Sequence, residues 1–444
     1  MNLTTQPKYK KRILNKILLM SICGIALNAN ALTNNINAKA GQNDSPPPKI
    51  MVYSYSDNLS NNPISDSTYE PALSQMNEIL FGFFTVTNDG HIMGAQNYNN
   101  VCNFVATHPN VKVVASIGGW GNSSTFSQAF SSANNRQNFI NDAHWLATST
   151  TICSNGMQAF SGIDIDWEYP VNRIDFSGNE ASPQDTQNLH QLIIDLRTSL
   201  GSNAIISLAI PHGNNDLDGG SIDNYFGESP RGNPDPTTQA FINAVTSFNL
   251  MSYDFMAFAT KTVTNAPLNS DNQGQSIIDG VSALTSNGVP TNKIILGAPL
   301  YGRSISGTGA GRCLQTVPSN LDLGLNIALP PIDKSGSQPP CVTNWPAYNS
   351  IDMSVAKYNT YYNYDTAQQT IELGDDSFMS FDSPYNIGNK ANYVKSSNLG
   401  GMFFWQVTQD TPYNDGRTIT LVNGTTYPLS LLKTAHDWLN TPQK

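Results

Sequence analysis

Asp164, Asp166 and Glu168 occupy every second position of the stretch Phe-Ser-Gly-Ile-Asp-Ile-Asp-Trp-Glu-Tyr-Pro at 160–170, and Ile163, Ile165 and Trp167 fill the positions between them. A strand has a side-chain period of two, so the three carboxyls share one face and the three apolar residues share the other. The apolar face needs a packed layer, which places the acidic face inside the molecule as well. Carboxyls lined up in an interior repel one another and are pushed toward their protonated forms. That costs stability, and such a cost is characteristic of active sites. The chemistry it offers is general acid–base catalysis, with one carboxyl protonated and a neighbour charged. An acidic strand edge, a calcium site or a solvated face would be the plainer explanations of the same spacing.

The elements that must position this row belong to a chain of 444 residues, enough for one large α/β domain or two smaller ones. Charged residues make up only 13% and the net charge is −10, so the surface is rich in neutral polar side chains. An acidic, weakly charged surface argues against nucleic acid and fits a neutral polar partner.

Residues 1–31 read as a secretory signal. Lys8, Lys10, Lys11, Arg12 and Lys16 form a basic start, Ile17 to Leu27 is an apolar run too short for a bilayer, and Ala29-Asn30-Ala31 supplies small residues for cleavage. The expected location is therefore the periplasm or the outside of the cell, with no membrane attachment once the signal is removed. Residues 32–48, ending in Pro46-Pro47-Pro48, read as a flexible lead-in. Of the cysteines, Cys23 lies in the apolar run. The other four favour disulfides in a secreted chain, paired locally as Cys102–Cys153 and Cys313–Cys341, with free buried thiols as the alternative. No close-spaced Cys/His cluster suggests zinc, and the histidines show no metal-ligand spacing.

From 49 to 444 the chain reads as one barrel. Apolar β-rich runs recur at Ile50–Tyr55, Ile79–Thr85, Val111–Ile117, Gly162–Trp167, Ala204–Ile210, Ser247–Tyr253, Lys293–Pro299 and Gly401–Trp405. Helical patterns separate them, among them Arg136–Ala147, Thr186–Leu200 and Gln275–Ser286. Eight strand–helix units predict a (β/α)8 TIM barrel. A doubly wound open sheet is the rival, weakened because no glycine-rich phosphate loop follows the first strand. The long gap before the eighth run predicts a small α+β insertion domain between strands 7 and 8, at about 304–378.

At this point the residues resemble a known family, glycoside hydrolase family 18, the chitinases and their relatives. Five motifs carry the resemblance in order: Ser116-Ile117-Gly118-Gly119, Gly162–Glu168, Met251-Ser252-Tyr253-Asp254, Gly297-Ala298-Pro299-Leu300-Tyr301-Gly302-Arg303, and Gly400-Gly401-Met402-Phe403-Phe404-Trp405. One position departs: the family's catalytic motif usually opens with a further Asp, and Ser161 stands there. That puts the proton relay and the pH profile in question more than the activity.

The resemblance implies a secreted, monomeric chitinase that cleaves β-1,4-linked N-acetylglucosamine polymers with retention and without metal or cofactor, the substrate's own acetamide oxygen acting as nucleophile. Glu168 is the expected general acid and base, with a pKa raised by neighbouring carboxylates and burial. Asp166 would accept a hydrogen bond from the acetamide N–H, and Asp164 would share a proton with Asp166. Tyr253 would donate to the acetamide oxygen, with Asp254 supporting the same group. Trp405 matches the family's aromatic floor beneath the cleaved sugar, and Trp120 would form a product-side platform. Tyr301, Arg303, Met251, Tyr169, Gly118 and Gly119 complete the expected cleft. One of Tyr53 and Tyr55 is expected to touch the acids, as is Ser116. An endo-β-N-acetylglucosaminidase acting on N-glycans and a non-catalytic chitin-binding lectin are the alternatives.

Overall fold

The computed structural model describes residues 46–171, 181–213, 220–227, 232–255, 264–270, 276–305, 342–344, 347–350, 359–363, 368–373, 377–420 and 426–441. Eight parallel strands form the barrel, β1 (Lys49–Tyr55), β2 (Glu78–Val86), β3 (Lys112–Gly118), β4 (Gly162–Asp166), β5 (Ile205–Ile210), β6 (Ser247–Leu250), β7 (Ile294–Pro299) and β8 (Gly401–Trp405), and the short strand Ile92–Met93 adds antiparallel to β2. They pair in the ring β1–β8–β7–β6–β5–β4–β3–β2, and β2 pairs back to β1. The closed ring is the expected (β/α)8 barrel and excludes the open sheet.

Each strand forms where an apolar run must be covered on its outer face. On β4, Ile163 and Ile165 are fully buried, and Trp167 just beyond its end packs edge-on against Phe126 at 5.8 Å and Phe130 at 5.5 Å. Burying a side chain of this size stabilises the fold by about 2–3 kcal/mol, which anchors the strand that carries the acids. The helices between strands start where capping predicts. Helix Ala133–Thr148 begins after Ser132, whose side chain accepts from the Asn135 N–H, and helix Ile277–Ser286 begins after Ser276, which accepts from the Asp279 N–H. Helix Asp185–Leu200 turns its Leu189, Leu192, Ile193 and Leu196 face inward. β6 stops at Leu250, three residues short of the expected run, and at Asp254 the backbone takes a left-handed conformation with φ 69°. The residues after Leu250 thus leave the sheet at the barrel mouth.

Cys102 and Cys153 are joined in a disulfide with Cα atoms 5.5 Å apart, as expected. Cys313 and Cys341, residues 1–31 and most of the lead-in lie outside the described residues. The expected insertion at about 304–378 does so in large part. Its described portion includes strands Val342–Asn344, Asn359–Asn363, Gln368–Leu373 and Ser377–Phe381, which form one antiparallel five-stranded sheet with Arg303–Ile305. Among the described residues no helix is long and apolar enough to cross a membrane.

Candidate active site

The strand alternation delivers the acids to the interior. Asp164 is 0% exposed, Asp166 3% and Glu168 8%. Asp164 lies in register with Ser116 on β3 and Ser207 on β5. Four side chains converge on its carboxyl. Ser116 Oγ donates to Oδ2 at 2.7 Å and Tyr53 Oη to Oδ2 at 3.1 Å; Ser207 Oγ donates to Oδ1 at 2.5 Å and Asn249 Nδ2 to Oδ1 at 3.3 Å. Burial raises the Asp164 pKa, the hydrogen bonds from Ser207, Ser116 and Tyr53 work against that rise, and the charge of Glu78 adds to it; the net shift is upward. Of the two tyrosines on β1, Tyr53 is therefore the one that reaches the acids. Tyr55 lies nearer the rim and hydrogen-bonds Asp57.

Asp166 is built differently. Its Oδ1 is buried and has no hydrogen-bond partner among the described residues. Burial pushes its carboxyl well above the usual range, and the charges of Glu168 and Asp164 push it further. A buried carboxyl oxygen without a protein donor is costly, and it is free to accept an N–H or O–H from a water or a bound molecule. Tyr253, also buried, has its hydroxyl pKa raised well above 10 by burial and by Asp166, so it stays a donor. Its ring stands edge-on to Phe403 at 6.0 Å and Tyr301 at 6.2 Å.

Asp254 is drawn elsewhere. Tyr301 Oη donates to its Oδ1 at 2.5 Å and Arg303 Nε to the same oxygen at 2.6 Å. Burial would raise its pKa, but the Arg303 charge and hydrogen bonds from Arg303 and Tyr301 hold it below the ordinary value. Asp254, Tyr301 and Arg303 thus form one ionic unit beside Tyr253, with Tyr301 and Arg303 buried and the Asp254 side chain 30% exposed.

Trp405, half-buried at the end of β8, is surrounded by rings. It stacks on Phe83 at 5.6 Å with 16° between planes and meets Tyr53 at 5.1 Å and Tyr55 at 5.6 Å. Trp120 is 47% exposed. Met251 and Tyr169 are buried, Tyr169 against Gly220. Gly118 and Gly119 have φ of 107° and 85°, and a Cβ on Gly118 would sit 2.1 Å from the Asp166 carbonyl oxygen. Their structural part is a close backbone crossing over the end of β4, reinforced where the Gly119 N–H donates to Asp166 C=O at 2.8 Å.

Sequence reasoning missed Ser207, Asn249 and Phe83. Ser207 and Asn249 lie on the inward alternation of β5 and β6, so a polar residue inside an otherwise apolar run was the available signal. Phe83 was hidden in the run Phe81-Gly82-Phe83-Phe84, where every position looks like core. Among the described residues no group of His, Cys, Asp or Glu could hold a metal ion.

The model of the family "Glycosyl hydrolases family 18" matches residues 49–410. Chitinase 1 of Aphanocladium album is 29% identical over 400 residues, which is 80% of this chain and 81% of that protein. Chitinase A1 of Niallia circulans is 28% identical over 346 residues, 71% of this chain but 43% of the relative, so the chain spans less than half of that protein's length. In fold it resembles the crystal structure of chitinase RmChi1 from Rhizomucor miehei, with a TM-score of 0.66, 22% identity, and coverage of 88% of this chain and 99% of that one.

Proposed function

Because this chain belongs to glycosyl hydrolases family 18, we propose that it is a chitinase. On this reading it hydrolyses β-1,4-linked N-acetylglucosamine chains, with retention and with the acetamide of the substrate as nucleophile. The observation that carries it is the asymmetry of the acid row: among the described residues, four donors enclose Asp164 while Asp166 keeps a buried oxygen with no partner. Asp166 accepts the acetamide N–H and stabilises the positive charge that develops as the ring closes to an oxazolinium ion. Tyr253 donates to the acetamide oxygen and holds it in line with the anomeric carbon. Glu168 protonates the leaving oxygen and then takes a proton from the incoming water. Trp405 lies under the apolar face of the cleaved sugar, and Trp120 carries the product side. The Asp254–Arg303–Tyr301 unit buttresses Tyr253.

Glu168 stands at the acid position, which argues against a lectin that has lost catalysis, and no observation favours N-glycans over chitin-type chains. The protein acts as an exported monomer; the basic start and apolar run at residues 8–27 support export. Substrates whose acetamide methyl carries one, two or three fluorines test the mechanism, because fluorine withdraws electrons from the nucleophilic oxygen. We expect kcat/KM to fall stepwise with each fluorine and the first product to be the β-anomer. Rates indifferent to fluorine would overturn acetamide participation.

A further inference from the structure

Glu168 is the second residue past the end of β4, so the parallel ladder that fixes Asp164 and Asp166 stops before it. The side chain that must meet the leaving oxygen is carried on backbone outside the sheet. The preceding residues are held from two sides. The Gly119 N–H donates to Asp166 C=O, and Tyr225 Oη donates to Trp167 C=O at 2.6 Å. At Glu168 itself one side chain holds both ends of the residue. Ser123 Oγ accepts from the Glu168 N–H at 3.1 Å and donates to the Glu168 C=O at 3.2 Å.

A hydroxyl has one donor and two acceptor sites, so it fills both roles at once. The two groups flank the Cα of Glu168, and fixing them fixes the direction of its Cα–Cβ bond. Ser123 is itself fully buried and anchored. Its N–H donates to Gly119 C=O at 3.2 Å, and its C=O accepts from Phe126 N–H at 3.0 Å. The same two segments are joined again at Asp185, which accepts from Ser127 Oγ at 2.8 Å and from the Val171 N–H at 3.1 Å. The crossing permitted by Gly118 and Gly119 thus delivers a polar clamp to the segment beyond β4.

We propose that Ser123 is a positioning residue for Glu168: it aims the general acid at the glycosidic oxygen through paired hydrogen bonds to the acid's own backbone. This rests on Glu168 being that acid. A misaimed acid hurts bonds that need protonation and spares those that do not. The experiment therefore compares kcat/KM of wild type and Ser123→Ala on an aryl glycoside of the N-acetylglucosamine dimer, whose phenolic leaving group departs unaided, and on the N-acetylglucosamine hexamer, whose sugar leaving group needs the proton. Removing a general acid altogether costs about a hundredfold or more. A misaimed one should cost about tenfold on the hexamer and at most about twofold on the aryl substrate. Ser123→Cys, similar in shape but a weak hydrogen-bonder, should show the same selectivity to a smaller degree, and it serves if Ser123→Ala does not fold. Equal loss on both substrates, or no loss on either, would overturn the proposal. A wild type inactive on both would instead sink the chitinase reading.

Discussion

Ser207 Oγ donates to Asp164 Oδ1 at 2.5 Å across a register pair between β4 and β5. That contact is one of those opposing the upward push of burial on Asp164. Removing it in Ser207→Ala leaves burial less opposed, so the Asp164 pKa rises further. If the acid row must hold a negative charge to work, activity then fails at a higher pH. We expect the acid limb of the kcat/KM profile to move to higher pH. An unmoved limb would show that Asp164 does not set it.

Asp166 makes a stability prediction of opposite sign to its effect on activity. Its folded pKa lies well above its unfolded one, through burial and then through Glu168 and Asp164. The folded state therefore favours the protonated form, and stability is lost as pH rises through the folded pKa. Asp166→Asn removes the penalty, because an amide binds no proton in either state. We expect severe loss of turnover together with a melting temperature about 2–4 °C higher than wild type at pH 7, a gap that closes as the pH is lowered toward 4. A variant less stable than wild type at pH 7 would contradict this account of the row.

Asp254 and Arg303 should behave as a pair. Arg303 is buried with a charge that Asp254 meets at 2.6 Å. Asp254→Asn removes a charged partner of Arg303, and because the Asp254 side chain is 30% exposed we expect a cost of about 1–2 kcal/mol in denaturant unfolding. Asp254 has a lowered pKa, so its contribution is present above its unfolded pKa and fades as pH falls through the folded one. Equal destabilisation by the variant at pH 7 and at pH 2 would refute the ionic origin.

The Cys102–Cys153 bridge closes a loop with a sequence separation of 51. Loop-closure entropy assigns such a bridge about 4 kcal/mol. Replacing both cysteines by serine should lower unfolding stability by about that amount while leaving kcat/KM on soluble oligosaccharides near wild type. A large loss of activity in a folded double variant would give the bridge a role in the site.

What could be read from sequence was what repeats locally. Ile163, Ile165 and Trp167 alternating with three acids announced a two-faced strand, and eight such runs announced a barrel. The locations of Asp164 and Asp166 followed from period alone. What could not be read was which distant side chains would meet. Ser123 and Glu168 are 45 residues apart, Asn249 and Asp164 are 85 apart, and Tyr53 and Asp164 are 111 apart. Only ring closure brings such pairs together. Tyr53 and Tyr55 share a face and a residue type, so no local rule separated them; depth in the barrel did. Adjacency in sequence puts Asp254 beside Tyr253, but no local rule shows that its Oδ1 is held by Tyr301 and Arg303 on the segment after β7.

We propose Glu168 as the acid of a chitin-type hydrolase. Its most direct test is hydrolysis of fluorogenic N-acetylglucosamine dimers and trimers by wild type and by Glu168→Gln, with oligosaccharide binding measured on both. We expect release by wild type alone, with binding retained in the variant. Near-normal turnover by Glu168→Gln would contradict it.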